Sequence, residues 1–156
     1  METFDIVKRS EKVAFYGIED EFVRMQGFTS MSTSKNPEEH SVKYVDEDSK
    51  RNSVIGYDTQ ISYSFERIKG NLVHEDIAEI TDMEKIGIDA VRTIIVVDTA
   101  TKKAIKRDFA VIPDSEGDDE NLYTYSGTFK THGSPVFGTA VIDEDGMGVT
   151  FTADAG

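Results

Sequence analysis

Cysteine is absent from the 156 residues of this chain. Its absence excludes disulfide bonds, thiolate zinc sites and cysteine nucleophiles. The sequence also lacks any apolar run near the roughly 20 residues that a membrane-spanning helix needs. Residues 1–11 are interrupted by Asp5, Lys8 and Arg9, so they contain no apolar core of a signal peptide. We therefore expect a soluble protein that is made in a cytoplasm and has no membrane partner.

Basic residues are also scarce, with 17 against 30 acidic residues and a formal net charge of −13. A chain of this charge repels free nucleic acid and anionic lipid. The basic clusters at residues 50–51 and 102–107 are small. We interpret them as solvated turns or as charge partners of another subunit.

Common catalytic and metal-binding motifs are missing. There is no Gly-x-Ser-x-Gly elbow, no phosphate-binding glycine loop and no Gly-x-Gly-x-x-Gly. His40, His74 and His132 lack the i, i+4 spacing of a helical metal site, and we expect them on the surface. The acidic segments 114–117 and 143–146 do not have the ligand spacing of a calcium-binding loop. We therefore predict no enzyme activity, no cofactor and no metal site.

The most regular pattern lies between Gly56 and Lys69, where apolar and polar residues alternate. Successive side chains of a strand point to opposite faces of a sheet, so the alternation predicts a strand with one buried and one solvated face. The predicted buried face consists of Tyr57, Thr59, Ile61, Tyr63 and Phe65. The predicted polar face consists of Asp58, Gln60, Ser62, Ser64 and Glu66.

One helix and several further short strands are predicted around this strand. The spacing of Val73, Ile77 and Ile80 predicts an amphipathic helix over residues 71–87, capped by Asn71. Apolar runs predict strands over residues 13–18, 22–33 with a break at Gly27, 91–99, 104–113, 123–129, 136–142 and 148–152. We therefore predict a mainly β (α+β) fold in one domain, residues 1–156. Its architecture is a β-sandwich or partly open barrel of short antiparallel strands flanked by one α-helix.

The segment 34–53 contains few core-forming residues and is long for a connection within a compact domain. We predict a long loop that is mobile or packs against another copy. Residues 1–12 are predicted to be a flexible arm, residues 114–121 an acidic loop and residues 153–156 a flexible tail.

Several short stretches follow one another in a recognisable order. They are residues 27–32, 34–37, 44–47, 56–57 with 61–66, the helix near 76–80, and 89–92. In the order and residue pattern of these stretches, the region from Phe15 to Ile142 resembles the bacteriophage tail tube (major tail) protein family.

This resemblance implies a sandwich-like subunit that forms hexameric rings, which stack into a hollow tube through which the genome passes. Family subunits donate four strands each to a continuous barrel around the lumen, and a long loop and a terminal arm contact neighbouring rings. The implied location is the virion tail, assembled in the cytoplasm of a host bacterium. The implied partners are further copies and other tail proteins (tape measure, terminator, and baseplate or tip), whereas DNA passes through without specific binding.

On this expectation, Asp58, Gln60, Ser62, Ser64 and Glu66 line an acidic lumen. A like-charged wall repels DNA mainly near contact, because the Debye length is about 8 Å at physiological salt. The wall would then prevent adhesion without blocking passage. The predicted loop would make the contact between subunits through Asn36, Glu38, Glu39, Tyr44, Asp46, Glu47, Asp48, Lys50 and Arg51.

Four alternatives remain open at the level of sequence. The chain could form a head–tail joining or tail-completion ring, or the tube of a contractile phage-tail-like particle such as a bacteriocin. It could also be a small acidic β-enzyme that uses two carboxylates, which would require a carboxylate of raised pKa in a cleft. A carbohydrate-binding sandwich would require an exposed aromatic platform, whereas the aromatic residues here mostly share parity with core positions.

Overall fold

The computed structural model describes residues 12–18, 21–46, 48–119, 122–144, 146 and 148–154. Within them the chain forms eleven strands, one α-helix and a short 3-10 helix, Gly87–Ala90. The helix α1 spans Leu72–Asp82. The strands are β1 (Lys12–Ile18), β2 (Glu21–Arg24), β3 (Phe28–Ser34), β4 (Pro37–Val42), β5 (Arg51–Tyr57), β6 (Gln60–Glu66), β7 (Val91–Asp98), β8 (Lys103–Asp119), β9 (Leu122–Thr131), β10 (Val136–Ile142) and β11 (Val149–Ala153).

Nine of these strands form one antiparallel sheet that curls into a half-barrel. Its main path runs β2-β1-β7-β8-β9-β6-β3, and the β10–β11 hairpin joins it because β10 pairs with β8. Strands β4 and β5 form a separate two-stranded sheet. The predicted mainly β fold with a single α-helix is confirmed.

Strands β1 and β7 are buried on both faces. Tyr16 packs in a core with α1 and the inner faces of β6 and β9, whereas the adjacent Phe15 packs in a second core beneath the β10–β11 hairpin. Ile94 and Ile95 of β7 divide between the two cores in the same way. The unbroken apolar run of β7 therefore reflects burial on both sides of the sheet.

The predicted amphipathic strand is β6, but it is shorter than predicted. Ile61, Tyr63 and Phe65 are at most 3 % exposed, and burial of each contributes about 1.5–3 kcal/mol. Tyr57 is 62 % exposed, so its predicted place on the buried face is wrong. The physical reason is that Tyr57 ends β5, where it pairs with Pro37, and the chain then turns before β6 begins.

Helix α1 begins where the sequence predicts and ends earlier. The Asn71 Oδ1 atom accepts hydrogen bonds from the backbone N–H groups of Val73 (3.1 Å) and His74 (3.2 Å). These bonds satisfy two of the N–H groups that a helix start leaves free. The helix ends at Asp82 rather than Gly87, because Glu84 adopts a left-handed conformation (φ 49°) that interrupts the helix.

A partly buried carboxylate connects α1 to the sheet. Asp76 Oδ2 accepts hydrogen bonds from the Tyr16 hydroxyl (2.5 Å) and from Arg92 Nε (2.9 Å). Burial, followed by the nearby Asp76 charge, raises the pKa of the fully buried Tyr16 phenol. Tyr16 therefore acts as a neutral hydrogen-bond donor, and the charge of Asp76 is balanced by Arg92.

The prediction of an acidic loop over residues 114–121 is wrong for residues 114–119, which belong to strand β8. Strand β8 continues through Asp119, and its second half pairs with β9 down to Leu122. A β-bulge lies between Pro113 and Ser115. Asp and Gly are depleted in strands, so the composition of this segment did not predict one. The segment is nevertheless a strand because it pairs with the long strand β9.

His74 is fully buried, so its predicted surface position is wrong. Its ring stacks on Phe65, with a centroid distance of 4.2 Å, and meets the edge of Phe28. The His74 Nδ1 atom accepts a hydrogen bond from the backbone N–H of Ile68 (3.2 Å). Nδ1 must therefore be unprotonated, which places the single proton of the neutral ring on Nε2. Burial lowers the pKa of His74.

The burial of His74 predicts a loss of stability below neutral pH. The unfolded chain takes up a proton near pH 6.5, whereas the folded chain takes it up at lower pH. The unfolded state thus binds more protons, and stability falls as pH decreases from about 7.5 to 5.5. Urea unfolding across this range measures the effect. The slope should flatten in His74→Gln and persist in the controls His40→Gln and His132→Gln, and an unchanged slope in His74→Gln would contradict the prediction.

Gly127 is a second position at which we expect a substitution to lower stability. A Cβ atom there would lie 2.5 Å from the Ile112 carbonyl oxygen, 2.6 Å from the Tyr63 hydroxyl and 2.9 Å from Pro113 Cα. Two of these atoms are backbone, so Gly127→Ala must displace the bulge, and we expect a loss of about 1–3 kcal/mol in unfolding free energy. Gly117→Ala is the matched control, because Gly117 lies in the same ladder with no neighbour within 4 Å. Equal unfolding midpoints for the two variants would refute this account of Gly127.

Candidate assembly surfaces

The face of β3, β6, β8 and β9 that points away from the α1 core carries a hydroxyl band. Strand pairing places Ser62 between Ser32 and Thr128. Ser126 pairs with Ser115, and their hydroxyl oxygens are 2.8 Å apart. All members of the band are exposed or half-buried. The hydroxyl band consists of Ser30, Ser32, Ser34, Ser62, Ser64, Ser115, Thr124, Ser126 and Thr128.

Most of the residues predicted for the polar face of the amphipathic strand lie on the same face as this band, and Ser62 and Ser64 belong to it. Gln60, Ser62, Ser64 and Glu66 alternate with the buried residues of β6. Asp58 is exposed but precedes β6, and its backbone carbonyl accepts a hydrogen bond from Asn36 Nδ2 (3.0 Å).

The polar face carries charges of both signs. Lys130 of β9 pairs with Gln60, so the face carries an ammonium group as well as the Glu66 carboxylate. The alternation of Thr124, Ser126 and Thr128 was visible in the sequence. Their alignment with the serines of β6 and β3 depends on strand order, which the sequence does not state.

The same four strands have two open edges. Strand β3 pairs with β6 on one side, and no described strand lies on its other side. Strand β7 pairs with β8 only as far as Ala110, so residues 111–119 of β8 have no described partner on that side. Edge strands of soluble proteins are commonly protected by lysine, proline or short length. Strand β3, with the sequence FTSMSTS over seven residues, has none of these protections.

The segment 34–53, predicted to be a long loop, is largely a β-hairpin. Strand β4 pairs with β5 from Pro37–Tyr57 to Val42–Arg51, with a bulge at Glu38–Glu39. Few core-forming residues are needed here, because the hairpin does not pack into either core. We call Pro37–Tyr57 the β4–β5 hairpin.

The β4–β5 hairpin carries the predicted contact residues and several exposed apolar side chains. Glu38, Glu39, Asp46, Asp48 and Lys50 are exposed. Asn36 precedes the hairpin with a left-handed φ of 44°, and Arg51 lies over the ring of the exposed Tyr44 at 5.7 Å. Glu47 lies outside the described residues. The exposed apolar side chains are Tyr44, Val45, Val54, Ile55 and Tyr57.

A cleft of about 530 Å³ opens beside the base of the hairpin. Its apolar lining includes Ile61, Ile94, Phe109 and Phe137, and its basic residues are Lys12, Lys35 and Arg107. No acidic residue lines it within the described part of the chain. Arg107 Nε donates a hydrogen bond to the Gly133 carbonyl (2.8 Å).

Two carboxylates meet at the opposite end of the four strands. Glu116 of β8 and Asp82 of α1 are close enough for a hydrogen bond between them to raise the pKa of Glu116. The Tyr125 hydroxyl also donates to Asp82, at 3.2 and 3.3 Å from its two oxygens. Glu116 and Asp82 are both exposed, so this carboxylate pair is open to solvent.

The described residues contain neither a metal-binding cluster of side chains nor a membrane-spanning helix. No group of three or more histidine, cysteine, aspartate or glutamate side chains is arranged to hold a metal ion within them. Among the same residues, α1 is far too short to cross a bilayer as a helix.

Neither a protein-family model nor a curated protein sequence matches the chain. Solved structures do match its fold. One is a chain of "Tail of empty GTA particle computed with helical refinement, C6 symmetry", with a TM-score of 0.63 and 14% identity over 83% of this chain and 97% of that chain.

Two further solved structures belong to related kinds of particle. A chain of the "Virion of native gene transfer agent (GTA) particle" matches with a TM-score of 0.61 and 14% identity over 83% of this chain and 97% of that chain. A chain of the anti-feeding prophage (AFP) baseplate matches with a TM-score of 0.52 and 6% identity over 88% of this chain and 97% of that chain. The chain thus has the fold found in the tails of gene transfer agent particles, which confirms the resemblance to tail tube proteins at the level of fold.

Proposed function

We propose that this protein is a structural, non-enzymatic subunit of a virion tail that polymerises as stacked hexameric rings into a hollow tube. The observation that carries the proposal is the four-stranded section β8-β9-β6-β3 of the sheet, which has one buried face and one hydroxyl-rich face. Its two open edges are the outer side of β3 and residues 111–119 of β8. The shared fold with tail chains supports it, and one of these chains comes from a tail with C6 symmetry.

Pairing between copies would satisfy both edges. The outer edge of β3 in one copy would pair with residues 111–119 of β8 in the next copy around a ring. Each such pairing joins different edges of two identical subunits, so the contact is heterologous and closes only at a fixed number of copies. A closed barrel leaves no strand edge open. Six copies with four strands each would complete it.

Ring closure would turn the hydroxyl band toward the lumen, because the opposite face of the same strands is occupied by the α1 core. Serine and threonine hydroxyls exchange hydrogen bonds with water and carry no fixed charge. Lys130 and Glu66 contribute charges of opposite sign. DNA would therefore meet a wetted, nearly neutral wall in a particle whose subunits are acidic overall, and it would pass without adhering.

The β4–β5 hairpin would contact a neighbouring copy. A two-stranded hairpin is marginally stable by itself in water, and this one exposes Val54, Ile55 and Tyr57 to solvent. Covering these side chains would remove apolar surface from water, which favours assembly. We extend the proposal to one tail-tube domain, assembled in a bacterial cytoplasm and joined to other tail proteins.

A comparison of assembly by the wild-type protein and by a variant without the β4–β5 hairpin tests this function. We expect negative-stain microscopy of the concentrated wild-type protein to show rings and long tubes. Replacing residues 36–58 by Asn-Gly should retain the fold, because Ser34 already pairs with Gln60 and this turn suits a tight hairpin. The variant should remain folded by circular dichroism and form no long tubes.

Each outcome of that experiment bears on a different part of the proposal. A single wild-type ring without extension would favour a head–tail joining protein, and a wild-type monomer at all concentrations would refute a self-assembling tube. Normal tubes from the shortened variant would exclude the hairpin from assembly.

The lumen assignment predicts a change in DNA retention. Ser62→Lys should permit assembly, because Ser62 is exposed, and should add one ammonium group per copy to the wall. We expect tubes of this variant, soaked with a short single-stranded oligonucleotide at low salt, to show added density inside the lumen by electron cryomicroscopy. Wild-type tubes and Ser62→Gln tubes should remain empty. Oligonucleotide density only on the outside of Ser62→Lys tubes would rule out a lumenal Ser62.

A further inference from the structure

Each outer strand of the four-stranded section β8-β9-β6-β3 contains a β-bulge. One bulge lies in β3 at Thr29 and the other in β8 at Asp114, and neither residue has a partner in the ladder of its strand. A bulge adds one residue to a strand, so the residues beyond it lie on the opposite face from the one that uninterrupted alternation would give them. Each bulge therefore decides which side chains of its strand reach the face of the hydroxyl band.

The bulge in β8 keeps acidic residues off this face. Ile112, which precedes it, pairs with Thr128 of the hydroxyl band. Alternate residues of a strand share a face, so uninterrupted pairing would place Asp114 and Glu116 on the face of the hydroxyl band as well. The composition of residues 112–117 by itself would therefore give this face two additional carboxylates per copy.

The observed register gives the opposite distribution. Beyond the bulge, Ser115 pairs with Ser126 in the hydroxyl band. Glu116 pairs with Tyr125, whose ring is buried in the core beneath α1. Glu116 thus lies on the same side of the sheet as Asp82 of α1, with which it shares a hydrogen bond.

Two residues beside Asp114 suit a bulge. Pro113 has no N–H group to donate to a neighbouring strand, and prolines within sheets are found at edges and bulges. Gly127 pairs with Pro113, and a side chain there would collide with the backbone of β8. The absence of a side chain at Gly127 lets the two strands approach closely where the extra residue is inserted.

The bulge in β3 acts in the same way on apolar and hydroxyl side chains. Phe28 packs against the α1 core, so uninterrupted alternation would turn Ser30 toward this core and Met31 away from it. Beyond Thr29, however, Met31 packs against the core and Ser30 joins the hydroxyl band. The Thr29 hydroxyl also donates a hydrogen bond to the Ser64 carbonyl (3.0 Å). Both outer strands thus depend on a bulge for the composition of the hydroxyl band.

The bulge in β8 also determines what lies across the sheet from Glu66. Glu66 pairs with Thr124, and Thr124 pairs with Gly117 on its other side. In an uninterrupted ladder Glu116 would take the place of Gly117, and two carboxylates would flank Thr124 with their Cα atoms about 10 Å apart. Proteins bind Mg²⁺ through one or two carboxylates together with phosphate groups of the bound molecule. Such a pair on the wall of a tube would therefore hold DNA.

We propose that the bulge at Asp114 keeps carboxylates off the wall of the tube, so that Mg²⁺ cannot bridge the wall to the phosphates of passing DNA. This inference rests on the proposed function and adds the structural feature that sets the charge of the wall. Glu116 contributes to the net charge of the subunit without contributing to the charge of the wall. Hydroxyl groups take its place there, and they carry no charge with which to attract a divalent cation.

Disulfide formation tests the register of β8, because the chain has no cysteine of its own. Ser115→Cys with Ser126→Cys places two thiols where the hydroxyl oxygens are 2.8 Å apart. Asp114→Cys with Ser126→Cys is the matched pair for an uninterrupted ladder. A disulfide requires Cβ atoms about 3.5–4.5 Å apart, so under mild oxidation we expect the first pair to form at least about tenfold faster than the second.

Moving one carboxylate across the strand tests the consequence for DNA. Gly117→Glu with Glu116→Gln keeps the wild-type net charge, and a Cβ atom at Gly117 has no neighbour within 4 Å among the described residues. The matched control, Gly117→Gln with Glu116→Gln, has the same size without the introduced carboxylate. In the first variant we expect Mg²⁺ to cause retention of a short single-stranded oligonucleotide in the lumen, seen by electron cryomicroscopy and reversed by EDTA. Wild-type and control tubes should remain empty.

Unassembled subunits provide a second readout, which applies even where a variant does not form tubes. Ser62 and Ser115 of the hydroxyl band are exposed in the isolated chain, so the introduced carboxylate is also accessible there. Fluorescence anisotropy of a labelled oligonucleotide, with and without Mg²⁺, compares the variant with its control. Circular dichroism verifies the folding of both.

The outcomes separate this inference from the proposed function. Retention that requires both Mg²⁺ and the introduced carboxylate supports the role of the bulge. Equal binding by the variant and its amide control, or faster formation of the disulfide between positions 114 and 126, would overturn it. Lumenal density in Ser62→Lys tubes would leave the tube function intact after such a failure. Absence of wild-type tubes would instead overturn the tube function, and with it the inference about the wall.

Discussion

The structure depends on the one-sided burial of β6 and its neighbours. Ile61, Tyr63 and Phe65 must be covered, and α1 together with β1 and β7 covers them. The covering elements occupy one face of the sheet, so the other face retains its hydroxyl groups. The same packing leaves β3 and the second half of β8 at open edges. A subunit of this design is folded but has unsatisfied backbone groups, which is a physical reason for it to associate with copies of itself.

Polar contacts connect the covering helix to the sheet. Asp76 connects Tyr16 on β1 with Arg92 on β7, and His74 joins α1 to the backbone of Ile68. These contacts position the helix on the inner face without adding charge to the hydroxyl band.

Much of the fold was predictable because it follows local rules. Alternation identified β6 and β9, the continuous apolar run identified β7, and Asn71 marked the start of α1. Two of the errors share one cause, namely that tertiary partners override local composition. Tyr57 continued the alternation of β6 but belongs to the hairpin. The acidic second half of β8 lacked strand-forming residues but gained a long partner in β9.

The sequence by itself determined the alternation that gives β6 one buried face, the sign of the net charge, and the absence of thiol chemistry, because these are properties of side chains and their local spacing. Tertiary structure alone decided that Lys130 lies beside Gln60, that His74 is buried, and that β3 and residues 111–119 of β8 each have one side without a described partner strand. Strand order and register set these relations, and they depend on contacts between residues far apart in the chain. The surfaces proposed for assembly are all of this second kind, since each combines residues from several strands.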